Sequence, residues 1–308
     1  MSIHWFPGHM HKASKEIKKI LPKVDLVIEI LDARIPYSSD NPLLTSLRDN
    51  KPCIKVLNKC DLADADITLE WQTYLEKEQF VKTLAINSNQ TEKINKITSL
   101  CHKMVPGRED GINKPIHAMI MGIPNVGKST LINILAGRTI AKTGNEPAVT
   151  KDQQRIKLDN NITLSDTPGM LWPKFDHPNI GYRLATTGAI RDTAIDHEDV
   201  AFFAAQYLLQ HYPENLIKRF ELNQLPDTEL ELLETIGRQR GCLRAGGHVL
   251  LDKVCKIFLT EIRDGSLGTL SFETPESIQK ELLEVESMKK KKEDKKAARK
   301  KAWKKNRK

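Results

Sequence analysis

An α/β domain with a mainly parallel sheet and helices on both faces, followed by a smaller all-α unit and a basic tail, is what this 308-residue chain predicts. Three observations carry that prediction. Short apolar runs bounded by turn residues alternate with helical stretches over the first half, the pattern of strands buried on both faces. A glycine-rich loop lies between one such run and a helix. From about residue 180 onward, apolar residues recur at helical spacing. The division drawn is 1–178 for the α/β domain, 179–285 for the helical unit and 286–308 for the tail.

In chain order, Asp25–Leu31, Pro52–Leu57 and Lys82–Ile86 read as three strands with helices between them. Ile116–Met121 is the next strand, and Thr130–Ala136 the amphipathic helix behind its loop. Arg155–Leu158 and Ile162–Ser165 complete the sheet. Asp199–Leu209 and Asp227–Ile236 read as helices whose apolar stripes form a core. Gly246-Gly247-His248 turns the chain into a long final helix over Val249–Arg263, and Ser271–Pro275 is expected to end the ordered part.

The loop Gly122-Ile-Pro-Asn-Val-Gly127-Lys128-Ser129 fits the phosphate-binding pattern G-x-x-x-x-G-K-[ST]. Its glycines let the backbone curl so that successive N–H groups face phosphate oxygens at a helix N-terminus. Asn125, Val126, Gly127, Lys128, Ser129 and Thr130 form this cradle. Lys128 would reach the β- and γ-phosphates, and Ser129 a Mg²⁺ ion. Asp166-Thr-Pro-Gly169 follows a strand; Asp166 would hold Mg²⁺ through water, and the Gly169 N–H would meet the γ-phosphate. Between them a threonine must complete the metal site. Thr150 is the choice, with Thr143 and Thr139 as rivals.

Asn58-Lys59-Cys60-Asp61 is an N-K-x-D motif. A carboxylate at Asp61 accepts from guanine N1–H and the 2-amino group, donors that adenine lacks there, so the motif selects GTP over ATP. Lys59 would lie along the base and ribose. Asn87 and Ser88, ending the next strand, occupy the place of the last base-contacting loop.

The base reader thus precedes the phosphate loop, the reverse of the usual order. All these loops must meet one nucleotide at the carboxyl edge of the sheet. A rotated strand order, a circular permutation of the GTPase fold, satisfies that; two separate half-sites would not. The residue after Gly169, usually a glutamine that aims the attacking water, is Met170. A thioether cannot do this, so help must come from elsewhere. Asn125 reads two ways, as a ligand for a monovalent cation such as K⁺ or as a loop residue bonding its own backbone. The segment His4–His11 holds three histidines and two aromatics. Within it, His9 reads either as a group that positions water from a turn beside Gly8, or as part of a strap docked through Trp5 and Phe6.

Together, Trp5–Met10, Asp32-Ala-Arg-Ile-Pro36, Asn58–Asp61, Gly122–Ser129 and Asp166–Pro173 closely resemble the YlqF/RbgA family of circularly permuted ribosome-biogenesis GTPases, from residue 2 to about residue 275. The resemblance implies GTP hydrolysis stimulated by a precursor of the large ribosomal subunit, and a hydrophobic residue where Met170 stands. It also implies a catalytic histidine at His9, a K⁺-linked asparagine at Asn125, and an RNA-binding helical unit carrying Gly181–Ala185 and Gly237–Gly241. Pro147-Ala-Val-Thr150 departs from the family's Pro-Gly-x-Thr.

Composition sets further expectations. The net charge is +8, yet residues 289–308 hold thirteen Lys/Arg against Glu293 and Asp294, so the remainder is slightly acidic. Such a tail is expected to be disordered or loosely helical, and reads either as a contact to rRNA phosphates with salt-sensitive affinity or as a solubilising extension. Five scattered cysteines without C-x-x-C spacing, no signal-like start and no long apolar run point to a cytoplasmic protein without membrane contact. Nothing demands more than a monomer. The alternative function is a GTP-gated RNA-binding protein in which hydrolysis is incidental.

Overall fold

A computed structural model describes residues 3, 5–48, 50–87, 89–107, 114–140, 155–158 and 160–305. Among the described residues, six strands form one sheet in the order β3-β2-β1-β4-β6-β5. These are β1 (Leu26–Asp32), β2 (Cys53–Asn58), β3 (Val81–Ala85), β4 (Ile116–Gly122), β5 (Arg155–Lys157) and β6 (Ile162–Asp166). Neighbours are parallel except β5, which runs antiparallel on β6. Every residue of β1, β2 and β6 is buried, which is why these strands read as mainly apolar runs rather than alternating ones, with Glu29, Lys55, Thr163 and Ser165 as buried polar exceptions inside them. Each predicted strand exists, with ends shifted by at most one residue.

The helices of this half are α1 (Gly8–Ile20), α2 (Pro36–Ser39), α3 (Pro42–Arg48), α4 (Ala65–Leu75), α5 (Thr91–Met104) and α6 (Lys128–Leu135). Asp64 caps α4 by accepting from the N–H groups of Asp66 and Ile67. The stretch around His9 is helical rather than a turn. Proline at the cap, with no side-chain cap bond, gives the sequence no start signal there.

The second half is built from α7 (Pro178–Thr186), α8 (His197–His211), α9 (Pro213–Phe220), α10 (Glu229–Gln239), α11 (Leu251–Asp264) and α12 (Pro275–Lys305). Helix α8 packs on α10 and α11, and its Ala201, Ala204 and Ala205 are buried in one core with Leu233 and Ile236 of α10 and Phe258 and Ile262 of α11. Gly265, at φ +83°, stops α11 in the left-handed region.

The C-terminal part departs from expectation. Order does not end at Pro275, and α11 is not the last helix. Thr274 and Ser277 cap each other, each side-chain oxygen accepting the other's backbone N–H, and Pro275 takes the first helical position of α12. The lysine-rich stretch read as a disordered or loosely helical tail continues this helix to Lys305. Counting charge gave too little weight to alanine, lysine and glutamate as helix formers. The start of α12 also returns to the α/β half. Ile278 is buried with Leu31, Leu57, Trp71 and Leu75 on one face of the sheet. Trp71 Nε1 donates to the Glu273 carbonyl at 3.1 Å. The buried Glu273 carboxylate accepts from the backbone N–H and hydroxyl of Ser38. Arg183 of α7 reaches Glu273 at 3.4 Å and holds Glu281 of α12 through both terminal nitrogens.

Candidate nucleotide site

The phosphate loop leaves β4 at Gly122, where a Cβ would lie 2.5 Å from the Ile30 carbonyl oxygen, so only glycine lets β4 end this close to β1. Asn125 takes a left-handed φ of +57° and Gly127 one of +98°. That curl delivers Gly127 to the cap of α6, the geometry an anion-binding helix start needs. Lys128 is buried, and its Nζ points back into the loop, donating to the carbonyls of Gly122 at 3.2 Å and Ile123 at 3.0 Å. Burial pulls its ammonium down to about 8, although Asp166 works the other way. Ser129 and Thr130 follow in the first turn of α6 and are half-buried.

Asp166 ends β6, the strand beside β4. Burial raises its carboxyl to about 6 despite Lys128. Its Oδ1 is buried and has no hydrogen-bond partner among the described residues. An unsatisfied carboxylate oxygen next to the lysine of a phosphate loop fits a divalent cation, which supplies the missing positive charge. Gly169 sits directly on the loop: a Cβ there would be 2.8 Å from Pro124 Cα and 3.1 Å from Lys128 Nζ. The Met170 N–H donates to the Gly122 carbonyl at 3.2 Å. Met170 itself is in the core, 1% exposed. Its carbonyl accepts from Asn41 Nδ2 at 3.0 Å, and Leu171 N–H meets Met10 Sδ at 3.5 Å.

Asn58 ends β2 and joins the two halves of the site. Its Nδ2 donates to the Val126 carbonyl at 2.8 Å. Lys59 adopts φ +59° and its Nζ donates to Asp32 Oδ2 at 2.9 Å. Asp61 is exposed at the rim. Cys60 N–H bonds the Ile86 carbonyl at 3.2 Å, which brings Asn87 beside the N-K-x-D loop. Asn87 Oδ1 there turns the chain by accepting from Asn89 N–H.

The structure therefore brings Asn58, Lys59, Asp61, Asn87, the Asn125–Thr130 cradle, Asp166 and Gly169 to the carboxyl edge of adjacent parallel strands. Ser88, Thr150 and Thr143 lie outside the described residues, and Thr139 is exposed just past α6. His9 is in the first turn of α1, next to Met10, but its side chain is outside what is described.

Two features escaped sequence reasoning. Asn125 Nδ2 donates to the Gly188 carbonyl at 2.8 Å, tying the phosphate loop to the residue just after α7. A cavity of about 660 Å³ opens between the base loop and the helical unit, lined by Arg34, Lys59, Asn125, Gly188 and Arg263 among others. No local signal announces the first. For the second, the charged residues Asp32 and Arg34 at the end of a mainly apolar strand are a usable hint.

Phosphate loop, D-x-x-G and guanine loop, collected at one sheet edge from a rotated chain order, define a circularly permuted P-loop GTPase. Residues 117–237 match the family described as 50S ribosome-binding GTPase. That match starts in β4, leaving Asn58–Asp61 upstream, as a permuted order requires. Ribosome biogenesis GTPase A of Priestia megaterium is 47% identical over 289 residues, 92% of this chain and 100% of that one. The protein of the same name from Thermotoga maritima is 30% identical, spanning 89% and 95%. The crystal structure of GNP-bound YlqF from T. maritima superposes with a TM-score of 0.61 at 26% identity, covering 86% of this chain and 99% of that one. This chain belongs to the ribosome biogenesis GTPase A (YlqF/RbgA) family and hydrolyses GTP.

Proposed function

We propose that the chain is an assembly factor for the large ribosomal subunit that hydrolyses GTP on the pre-ribosomal particle in the cytoplasm, acting as a monomer. Asp61 reads the guanine edge while Asn58, Lys59, Asn87 and Ser88 frame the base. Asn125, Val126, Gly127, Lys128, Ser129, Thr130 and Gly169 hold the phosphates. Ser129 and Thr150, with Asp166 through water, would hold Mg²⁺, which would supply positive charge to the β- and γ-phosphates. Asn125, whose amide nitrogen donates to the Gly188 carbonyl, would help hold K⁺. His9 positions water, since the buried Met170 cannot. The relatives' printed name, ribosome biogenesis GTPase A, supports the assembly role.

One observation carries the reading. The D-x-x-G segment leads through a short connection into α7, and the phosphate loop is bonded to Gly188, just past the far end of that helix. Loops that sense the γ-phosphate and a unit able to touch RNA thus share one helix. The basic α12, with eleven Lys/Arg between residues 289 and 305, supplies sequence-blind contacts to rRNA phosphates. Met170 burial favours a second reading in which hydrolysis is incidental and GTP only gates RNA binding. Turnover measured alone, with large-subunit precursors and with small subunits, separates them. Stimulation by the large-subunit particle alone is expected, and slower turnover when Na⁺ replaces K⁺. An unchanged rate with particles would leave the gating reading.

Further, among the described residues no helix is long and apolar enough to cross a membrane.

A further inference from the structure

Lys59 stands in the left-handed region, where a residue with a Cβ is strained and needs a reason to stay. Its long side chain has many rotamers, yet the ammonium is fixed on Asp32 Oδ2 at 2.9 Å. Asp32 is no ordinary surface acid. It ends β1 opposite Asn58 in register, so it sits beside the base loop by virtue of strand pairing alone. Arg34 grips it from the other side. Arg34 Nε donates to Oδ1 at 2.9 Å, Nη2 to Oδ2 at 2.8 Å, and the Arg34 backbone N–H to Oδ1 at 3.1 Å. Both residues are at most 2% exposed.

The same arginine faces the helical unit. Its Nη1 approaches the Ile262 carbonyl near the end of α11 at 3.4 Å. Its own carbonyl accepts from the Phe272 N–H at 2.9 Å. Burial works against the charge of Asp32, but Arg34 and Lys59 outweigh it and hold the carboxyl below the usual carboxylate range. A two-pronged guanidinium clamp is what fixes a carboxylate in one orientation.

We infer that Asp32 and Arg34 are positioning residues for guanine recognition: they hold the Lys59 side chain where it must lie along the base, and they join that loop to α11 and the 270–273 segment. The inference rests on the reading of Asn58–Asp61 as the guanine loop. Asp32 never touches nucleotide; it acts through Lys59. Removing its charge frees the ammonium and lowers the share of molecules with the lysine in place, which raises the Kd for GDP and the KM for GTP. The chemistry at the phosphates, on a different loop, is untouched at saturating GTP.

The test is a double-mutant cycle on the full chain, with fluorescent GDP and ADP as probes. Asp32→Asn and Lys59→Met are each expected to weaken GDP binding by roughly tenfold, the scale of one charge-assisted hydrogen bond. The double variant should bind no more weakly than Lys59→Met alone, because the two effects run through one side chain. KM for GTP should rise in Asp32→Asn with kcat at saturation held. If Asp32→Asn does not fold, Arg34→Lys carries the same cycle, since it keeps a positive charge but loses one of the two side-chain bonds to Asp32. Additive losses, or an unchanged KM, would overturn the positioning role while leaving the guanine loop standing. If Lys59→Met itself leaves GDP affinity and GDP-over-ADP preference intact, the guanine-loop reading falls and the inference with it.

Discussion

Replacing Asn58 by alanine is the sharpest probe of how the permuted halves are held together. In the native structure one amide hydrogen bond of 2.8 Å spans from the end of β2 to the carbonyl of Val126. Val126 is 1% and Asn58 3% exposed, so water cannot take over the lost donor. A buried carbonyl left without a partner costs about 1–3 kcal/mol. That penalty falls on the conformation of the phosphate loop that nucleotide needs, and should weaken GDP binding roughly 5- to 150-fold. Part of it should also lower the melting temperature of the nucleotide-free protein, by a few degrees at about 2–4 °C per kcal/mol for a chain of this general size. Fluorescent-GDP titration and a thermal melt of the same preparation read both quantities. Wild-type affinity together with a wild-type melt would refute the idea that this bond couples the base loop to the phosphate loop.

Three further outcomes are expected. Gly169→Ala should abolish GTP turnover while the protein still folds, because the new Cβ lies 2.8 Å from Pro124 Cα and 3.0 Å from Pro124 N, backbone that cannot step aside; full activity would mean the D-x-x-G loop stands off from the phosphate loop during the reaction. Nucleotide affinity should trace a bell against pH: below about 6, protons compete with the metal for Asp166, and above about 8, Lys128 loses the charge that meets phosphate. A flat profile between pH 5 and 9 would dissociate both groups from binding. Arg183→Ala should cost roughly 3–5 kcal/mol in urea unfolding, since it strands Glu273, which is fully buried, and releases Glu281; a loss below about 1 kcal/mol, the scale of a surface pair, would show that this junction does not hold the halves together.

Much of this architecture was legible in advance, for physical reasons that differ from element to element. The central strands are buried on both faces and so leave mainly apolar runs, interrupted inside β1 and β2 only by Glu29 and Lys55. The phosphate loop and N-K-x-D were legible because their chemistry constrains local spacing. Contacts made between elements left no such trace. Nothing near Asn125 in the chain announces Gly188, and Asp32 meets Lys59 only once β1 and β2 are known to be neighbours. Helix α12 was missed although its signal was present, in Thr274, Pro275 and Ser277. Charge was weighed there above capping. For His9 the reverse holds: the helix that carries it begins without a polar cap.

The sheet order also has a consequence for how the molecule is made. Strand β1 leaves the ribosome early but needs β2 on one edge and β4 on the other. Until roughly residue 122 has been synthesised, the flank that awaits β4 is an open row of amides on a strand whose side chains are mainly apolar. Such an edge invites wrong partners. The newborn guanine reader is therefore incomplete in two senses, lacking both its neighbour and its phosphate grip. Nascent chains stopped before β4 should be the ones that a chaperone holds, and GTP should begin to protect the chain from protease only after Gly169 has emerged.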